Sequence, residues 1–135
     1  MPASTRFVAA LLALGIIAGA ASFAVMRMQA SAATRVTAEQ LAGGEVERGK
    51  SVIEHAGCGA CHVIPGIPAA RGEVGPSLQG VAVRTLIAGR FANSPDVLIR
   101  WLRTPQAMAP GSGMPNPGLT ERQARDAAAY LYTLE

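Results

Sequence analysis

The chain has 135 residues, of which 50% are hydrophobic, 4% are aromatic and 16% are charged. Its formal net charge is only +3, and it contains neither a lysine-rich block nor interleaved aromatic and basic residues. These features do not indicate a nucleic-acid-binding protein. Once an apolar N-terminal segment is set aside, the remaining length suffices for one small domain, which would be marginally stable without additional buried apolar material.

The N-terminal segment is apolar without interruption. Residues 7–26 carry no charge and are flanked by Arg6 and Arg27. A membrane-spanning helix needs about 20 apolar residues, whereas the apolar part of a signal peptide has about 7–15. We therefore expect residues 7–26 to form a transmembrane anchor, with residues 1–6 in the cytoplasm and the remainder on the periplasmic side.

A second interpretation is that this segment is a signal peptide. Ala30–Ala32 is similar to a signal cleavage site, and cleavage near Ala32 would release a soluble periplasmic protein. Residues 27–42 are small and polar and are predicted to form a linker. Residues 43–135 are predicted to form the globular domain, which both interpretations place outside the cytoplasm.

The globular part is predicted to be all-α. Apolar residues at helical spacing indicate a first helix over Glu45–Ala56. A second helix is predicted over Ser94–Arg103, because serine, proline and aspartate at its start are typical of helix N-termini. The last helix begins at Thr120, which forms a predicted capping box with Gln123. No segment has the pattern of a convincing strand.

The last helix also offers two ion pairs along its surface. Glu121 and Arg125 are four residues apart, as are Arg122 and Asp126. Opposite charges at this spacing lie on the same helical face, so both pairs are predicted to form.

Both cysteines of the chain stand in one short motif, Cys58-Gly59-Ala60-Cys61-His62. CxxCH is the attachment sequence of c-type haem. Two intervening residues allow both thiols to reach the two vinyl groups on one edge of a porphyrin, and the next residue directs its imidazole at the iron. We therefore predict one covalently bound haem c, attached through Cys58 and Cys61, with His62 as an iron ligand.

Three other interpretations of this motif are weaker. A zinc site would need two further ligands, usually a second cysteine pair. A thioredoxin-like CxxC would need a preceding strand within a βαβ unit. A plain disulfide would leave His62 without a role.

The order of these segments resembles the class I cytochromes c over residues 43–135. The similarity is carried by RGKSVI at 48–53, GCGACH at 57–62, GPSLQG at 75–80, PGSGMP at 110–115 and AAYLYTL at 128–134. It is greatest with the short bacterial type, such as membrane-tethered cytochromes c and the cytochrome domains fused to oxidase subunits. The resemblance implies an all-α class I cytochrome c fold around one haem, preceded here by an apolar helix. In that fold the first and last helices cross, with Gly49 at the close approach and Ile53 and Tyr130 packed nearby.

The resemblance also implies a partner for His62. A histidine ligand needs a hydrogen-bond acceptor at its other ring nitrogen, which fixes the tautomer and raises the basicity of the ligand. In the resembled family this acceptor is the carbonyl of the proline in the Gly-Pro segment, which is Pro76 in this chain.

The sixth iron ligand is expected to be a methionine. Met108 and Met114 both lie in residues 104–118, which contain several prolines and glycines and show no periodicity. We choose Met114, because the family places its ligand in a Gly-x-x-Met-Pro context and because Pro115 restricts the backbone of the residue before it. Met108 is expected to be a packing residue.

Other polar residues are weaker candidates. His55 is expected to be a surface residue on the first helix. Trp101 is expected either to donate its indole N–H to a haem propionate or only to pack against the porphyrin. Arg71, Arg84 and Arg90 are candidate propionate partners, with ordinary surface positions as the alternative.

These assignments predict one-electron transfer rather than catalysis, because an iron with two protein ligands has no open position for a substrate. A haem enzyme or gas sensor would need a displaceable sixth ligand, and a thiol–disulfide oxidoreductase would need free cysteines. The expected partners are a terminal oxidase, a quinol-oxidising complex or a periplasmic dehydrogenase, in a respiratory or dehydrogenase-linked chain. The N-terminal helix would hold the protein at the membrane.

Overall fold

The computed structural model describes residues 2–135, which divide into two compact units between Thr34 and Arg35. The first unit is the part of helix α1 (Ala3–Ala42) that precedes this boundary. Its large apolar side chains are exposed on all sides of the helix, from Phe7 to Met26. Among the described residues, this helix is long and apolar enough to cross a membrane, and a signal sequence would meet the same criteria.

The second unit is predominantly helical, as predicted. After α1, its regular elements are helix α2 (Val46–His55), strands β1 (Leu86–Ile87) and β2 (Phe91–Ala92), and helices α3 (Pro95–Arg103), α4 (Pro105–Met108) and α5 (Glu121–Leu131). Single turns of 3₁₀ helix lie at Cys58–Ala60 and Val81–Val83.

The small antiparallel hairpin of β1 and β2 was not expected from the sequence. It pairs Leu86 with Ala92 and Ile87 with Phe91. Its turn contains two consecutive residues with positive φ, one of them Ala88 at 50°. Strands of two residues are too short to show an alternating pattern, and the fold remains all-α.

Helices α2 and α5 cross at Gly49, as the family resemblance implied. A Cβ atom at this position would collide with the carbonyl oxygen of Asp126 and lie 3.0 Å from Cβ of Tyr130. Ile53, one turn further along α2, is 3% exposed. The hydroxyl of Tyr130 donates to the carbonyl of Pro65 at 2.6 Å, which connects α5 to the loop after the CxxCH motif.

Residues 27–42 are helical, which differs from the predicted linker. They continue α1 to Ala42, and the part from Arg35 belongs to the second unit. Ala38 and Ala42, one helical turn apart, are 1% and 0% exposed. Arg35 also forms an ion pair with Glu47 of α2 at 2.9 Å. Alanine, the most frequent of the small residues that suggested a linker, favours helix formation and allows close packing.

The start of α5 agrees with the sequence prediction. The Thr120 hydroxyl accepts from the backbone N–H of Gln123 at 3.3 Å, and the Gln123 side chain accepts from the Thr120 N–H at 2.9 Å. Arg125 and Glu121 form the expected ion pair at 2.9 Å.

The predicted pairing of Arg122 with Asp126 was wrong. Asp126 is 3% exposed and accepts from the backbone N–H of Glu45 at 2.8 Å and from the Arg48 guanidinium at 3.1 Å. Burial alone would raise the pKa of the Asp126 carboxyl, but the hydrogen bonds from Arg48 and Glu45 lower it below its usual value. This carboxylate therefore connects α5 to the start of α2, across a separation in sequence that helical spacing does not reveal.

Candidate functional site

The CxxCH motif forms a compact turn directly after α2. Gly57, two residues after the end of α2, has a φ of 71°, a conformation that glycine adopts without strain. The carbonyl of Cys58 then accepts from the N–H groups of Cys61 and His62 at 3.2 and 3.0 Å. The motif residues are thus held together by their own backbone.

Both cysteines are half-buried and form no disulfide with each other. Burial raises the pKa of the Cys58 thiol above its usual value. Among residues 2–135, no group of three or more His, Cys, Asp or Glu side chains is arranged to hold a metal ion.

The His62 ring is held by the Gly-Pro loop. Its Nδ1 lies 2.7 Å from the carbonyl oxygen of Pro76. Because a carbonyl only accepts, Nδ1 carries the proton in this bond, and Nε2 keeps a free lone pair for a metal. A Cβ atom on Gly75 would lie 2.7 Å from Nδ1, so only glycine allows the loop to approach the ring this closely.

Backbone hydrogen bonds fix this loop against the motif. The N–H of Gly75 donates to the carbonyl of Cys61 at 2.7 Å, and the N–H of Gly72 donates to that of Gly59 at 3.0 Å. These two bonds hold the residues before Pro76 against the residues before His62.

Met114 lies in the irregular segment between α4 and α5, whereas Met108 is the last residue of α4. Both side chains are partly buried and pack against the hydrophobic core. Burial does not distinguish the two methionines, and the assignment of Met114 as a ligand stays a prediction.

The other candidate residues have partners of their own. His55 is exposed, and its Nδ1 lies 2.7 Å from the carbonyl of Ser51, near a groove of about 320 Å³ that none of the predicted iron ligands lines. Trp101 is buried, with its ring 5.8 Å from that of Phe91.

Arg71, Arg84 and Arg90, the predicted propionate partners, are likewise engaged. Arg71 donates to the carbonyl of Pro68 at 2.9 Å, and Arg84 donates to that of Ser77 at 2.6 Å. The Arg90 guanidinium lies 5.9 Å from the centre of the Phe91 ring. Their roles toward a propionate stay predictions.

Gln106 is the residue of this region that sequence reasoning missed. Its side chain donates to the carbonyl of Met114 at 2.6 Å. The two residues are eight positions apart across a segment without periodicity, so no helical or strand spacing relates them. Only its position directly after the helix-initiating Pro105 marks it in the sequence.

The donor set fits haem c. Two cysteines stand at the spacing that thioether attachment requires, and the adjacent imidazole has its Nδ1 bonded and its Nε2 available. A methionine thioether in the irregular segment would be a soft second ligand, and Met114 is the predicted one.

The chain is similar in sequence to known cytochromes c. The family model for cytochrome c matches residues 46–135. The chain is 36% identical over 106 residues to cytochrome c2 of Rhodopila globiformis, a match that covers 68% of this chain and 95% of that protein. It is 33% identical over 89 residues to cytochrome c oxidase subunit 2 of Alkalihalophilus pseudofirmus, which covers 65% of this chain. That match spans only 25% of the length of the oxidase subunit. No solved structure matches the chain.

The matched region includes the CxxCH motif, the Gly-Pro loop, the methionine segment and both crossing helices. It covers well over half of the chain. The chain therefore belongs to the cytochrome c family: it is a class I c-type cytochrome that binds haem c covalently, and its activity is electron transfer.

Proposed function

We propose that this protein is a mono-haem electron carrier, or the cytochrome subunit of an oxidoreductase complex, at the periplasmic face of the cytoplasmic membrane. The observation that supports this most is the 2.7 Å hydrogen bond between His62 Nδ1 and the Pro76 carbonyl. It gives the histidine of the CxxCH motif the tautomer and orientation that an axial ligand needs.

Four side chains have distinct roles in this proposal. Cys58 and Cys61 would attach the haem by thioether bonds, and His62 and Met114 would hold its iron. When bound, haem c supplies an iron that gains and loses one electron. The neutral, soft thioether of Met114 favours the reduced state and so raises the reduction potential. With both axial positions filled, the protein exchanges electrons and transforms no substrate.

The membrane location is supported by α1. The apolar side chains of residues 7–26 are exposed around the whole helix, an arrangement that is unfavourable in water and favourable in a lipid bilayer. Cleavage near Ala32 would leave residues 35–42, which belong to the second unit, on the mature protein. A retained anchor and a cleaved signal peptide are thus both compatible with an intact haem domain, and we propose the retained anchor.

The location is tested with an affinity tag at each end of the chain. A retained anchor keeps both tags on one polypeptide in the membrane fraction through a high-salt wash. Mature protein in the soluble periplasm without its N-terminal tag would show cleavage near Ala32 instead.

The proposed partners are redox complexes of the same membrane. One relative is named as a subunit of cytochrome c oxidase, which supports a terminal oxidase as the electron acceptor. A quinol-oxidising complex or a periplasmic dehydrogenase would supply the electrons. Mild solubilisation of membranes, followed by affinity purification and a test for oxidation of the reduced cytochrome by the co-purified complex, identifies the acceptor.

Potentiometric titration, absorption spectroscopy and carbon monoxide binding, each performed on the purified holoprotein, test the carrier function. We expect reversible one-electron behaviour, sharp low-spin absorption bands and no rapid binding of carbon monoxide to the reduced protein. Rapid carbon monoxide binding by the unmodified protein would contradict a filled sixth position and would favour a haem enzyme or gas sensor.

A further inference from the structure

The segment that carries Met114 has little backbone structure of its own. Within residues 110–119, all of which are described, a single backbone–backbone hydrogen bond forms, from the N–H of Ser112 to the carbonyl of Ala109 at 3.1 Å. A segment held this weakly by its backbone needs other contacts to keep one side chain in a fixed position.

The side chain of Gln106 supplies these contacts. Its Nε2 donates to the carbonyls of Ser112 and Met114 at 2.7 and 2.6 Å and lies 3.0 Å from the Ser112 hydroxyl. Its Oε1 accepts from the N–H of Gly111 at 3.2 Å. One half-buried side chain thus bonds three residues of the methionine segment.

The surrounding groups determine the orientation of the amide. Its NH₂ group has two hydrogens and faces two carbonyls, while its oxygen faces an N–H. If the amide of Gln106 were reversed, its oxygen would face two acceptors and its nitrogen would face a donor. A glutamine is therefore matched to this position in both length and polarity.

Gln106 is itself fixed from two directions. It follows Pro105, the first residue of α4, whose side chain is among the largest fully buried ones. The backbone N–H of Gln106 donates to the side chain of Asn116 at 3.3 Å, and Asn116 lies beyond Met114 in the sequence. Hydrogen bonds of Gln106 therefore reach residues before Met114, the carbonyl of Met114 itself, and Asn116 after it.

We propose that Gln106 is a positioning residue that holds the backbone of Met114 so that its sulfur stays available as the sixth iron ligand. This inference rests on the proposed role of Met114. A thioether that is already held in place loses less conformational freedom when it ligates the iron. Because Gln106 contacts the carbonyl and not the sulfur, it controls how persistently the sulfur is bound and leaves the chemistry of the thioether unchanged.

The test uses the holoprotein with Gln106→Ala and Gln106→Glu. The glutamate variant keeps the acceptor for Gly111 but loses the donors to Ser112 and Met114. Three properties are measured: the sulfur-to-iron charge-transfer band of the oxidised protein, the reduction potential, and the rate of carbon monoxide binding after reduction. In both variants we expect a weaker band, a lower potential and carbon monoxide binding about ten times faster, since both lose the hydrogen bonds to the carbonyls of Ser112 and Met114.

Gln123→Ala is the matched control. Gln123 caps α5 through Thr120, and its described hydrogen bonds do not reach the methionine segment. This variant is expected to lower the melting temperature but to leave the band, the potential and the carbon monoxide rate unchanged. Parent-like values in both Gln106 variants would overturn the inference, as would equal changes in Gln123→Ala.

Met114→Ala separates this inference from the proposed function. If Met114→Ala retains the charge-transfer band, Met114 is not the ligand, and both the ligand assignment and the role of Gln106 are wrong. If Met114→Ala loses the band while the Gln106 variants keep it, only the positioning role is wrong.

Discussion

The Nδ1 atom of His62 lies 2.7 Å from the carbonyl oxygen of Pro76, 14 residues further along the chain. Gly75 makes this approach possible because its lack of a side chain leaves room for the imidazole. Its backbone N–H also donates a hydrogen bond to the carbonyl of Cys61. The proton on Nδ1 leaves Nε2 free, so this loop contact prepares the histidine for an iron.

Gly75→Ala tests the importance of that contact. The new methyl group would lie 2.7 Å from Nδ1, so either the ring or the loop must move. Overpacking of this kind costs roughly 1–3 kcal/mol of the free energy of unfolding. A weaker hydrogen bond also makes the imidazole less basic, so we expect the reduction potential to rise. Unchanged potential and melting temperature would show that the loop does not control the ligand.

Gly49→Ala should destabilise the protein although alanine normally stabilises a helix. A Cβ atom at position 49 would collide with the carbonyl oxygen of Asp126, so α2 and α5 must separate. We expect a loss of about 1–3 kcal/mol in the free energy of unfolding, measured by denaturant titration. Gly113→Ala is the control, because its Cβ would meet no atom within 4 Å. Equal stability of the two variants would contradict the helix crossing.

Asp126→Asn should lower stability in a pH-dependent manner. The pKa of Asp126 is lowered in the folded protein, so its carboxylate stabilises the fold at pH values above its unfolded pKa of about 3.9. This contribution is lost as the pH falls through the lower, folded pKa. At pH 7 we expect a loss of about 2 kcal/mol, because the carboxylate bonds to Arg48 and Glu45 are weakened.

Denaturant titrations at several pH values measure this effect. The stability difference between Asp126→Asn and the unmodified protein should shrink below about pH 4. Glu121→Gln, which removes an exposed ion pair with Arg125, should have a smaller effect. A difference for Asp126→Asn that does not depend on pH would contradict a role for the ionised carboxylate.

Local sequence patterns predicted part of this structure well. The Thr120–Gln123 capping box and the Glu121–Arg125 ion pair involve residues within one or two helical turns, and both formed. The crossing at Gly49 followed from family resemblance rather than from spacing.

Contacts between distant segments were not predictable in this way. Asp126 binds Arg48, which is 78 residues away, in preference to Arg122 on its own helix. Ala38 and Ala42 are buried because the end of α1 packs against other residues of the second unit. Amino-acid composition does not reveal such packing. Gln106 acts through backbone carbonyls of an irregular segment, where no periodicity relates partners.

Met114→Ala and Met108→Ala together test the sixth ligand. Loss of the thioether at position 114 should lower the reduction potential and allow carbon monoxide to bind. The iron should become high-spin or take a replacement ligand. Met108→Ala should change only the packing, since methionine is an adaptable apolar residue. Both side chains are partly buried against the same core, so the pair controls for general loss of packing. The reverse pattern would assign the ligand to Met108, and no change in either variant would exclude methionine.

The most direct measurement is the mass of the denatured polypeptide after extraction with acidified acetone. Thioether bonds from Cys58 and Cys61 should keep the haem on the chain, so the mass should exceed that of the mature polypeptide by one haem. Replacing both cysteines by alanine should abolish stable holoprotein and leave a chain without haem mass. A denatured polypeptide that carries no haem while both cysteines are present would contradict covalent attachment, on which the whole account of the site depends.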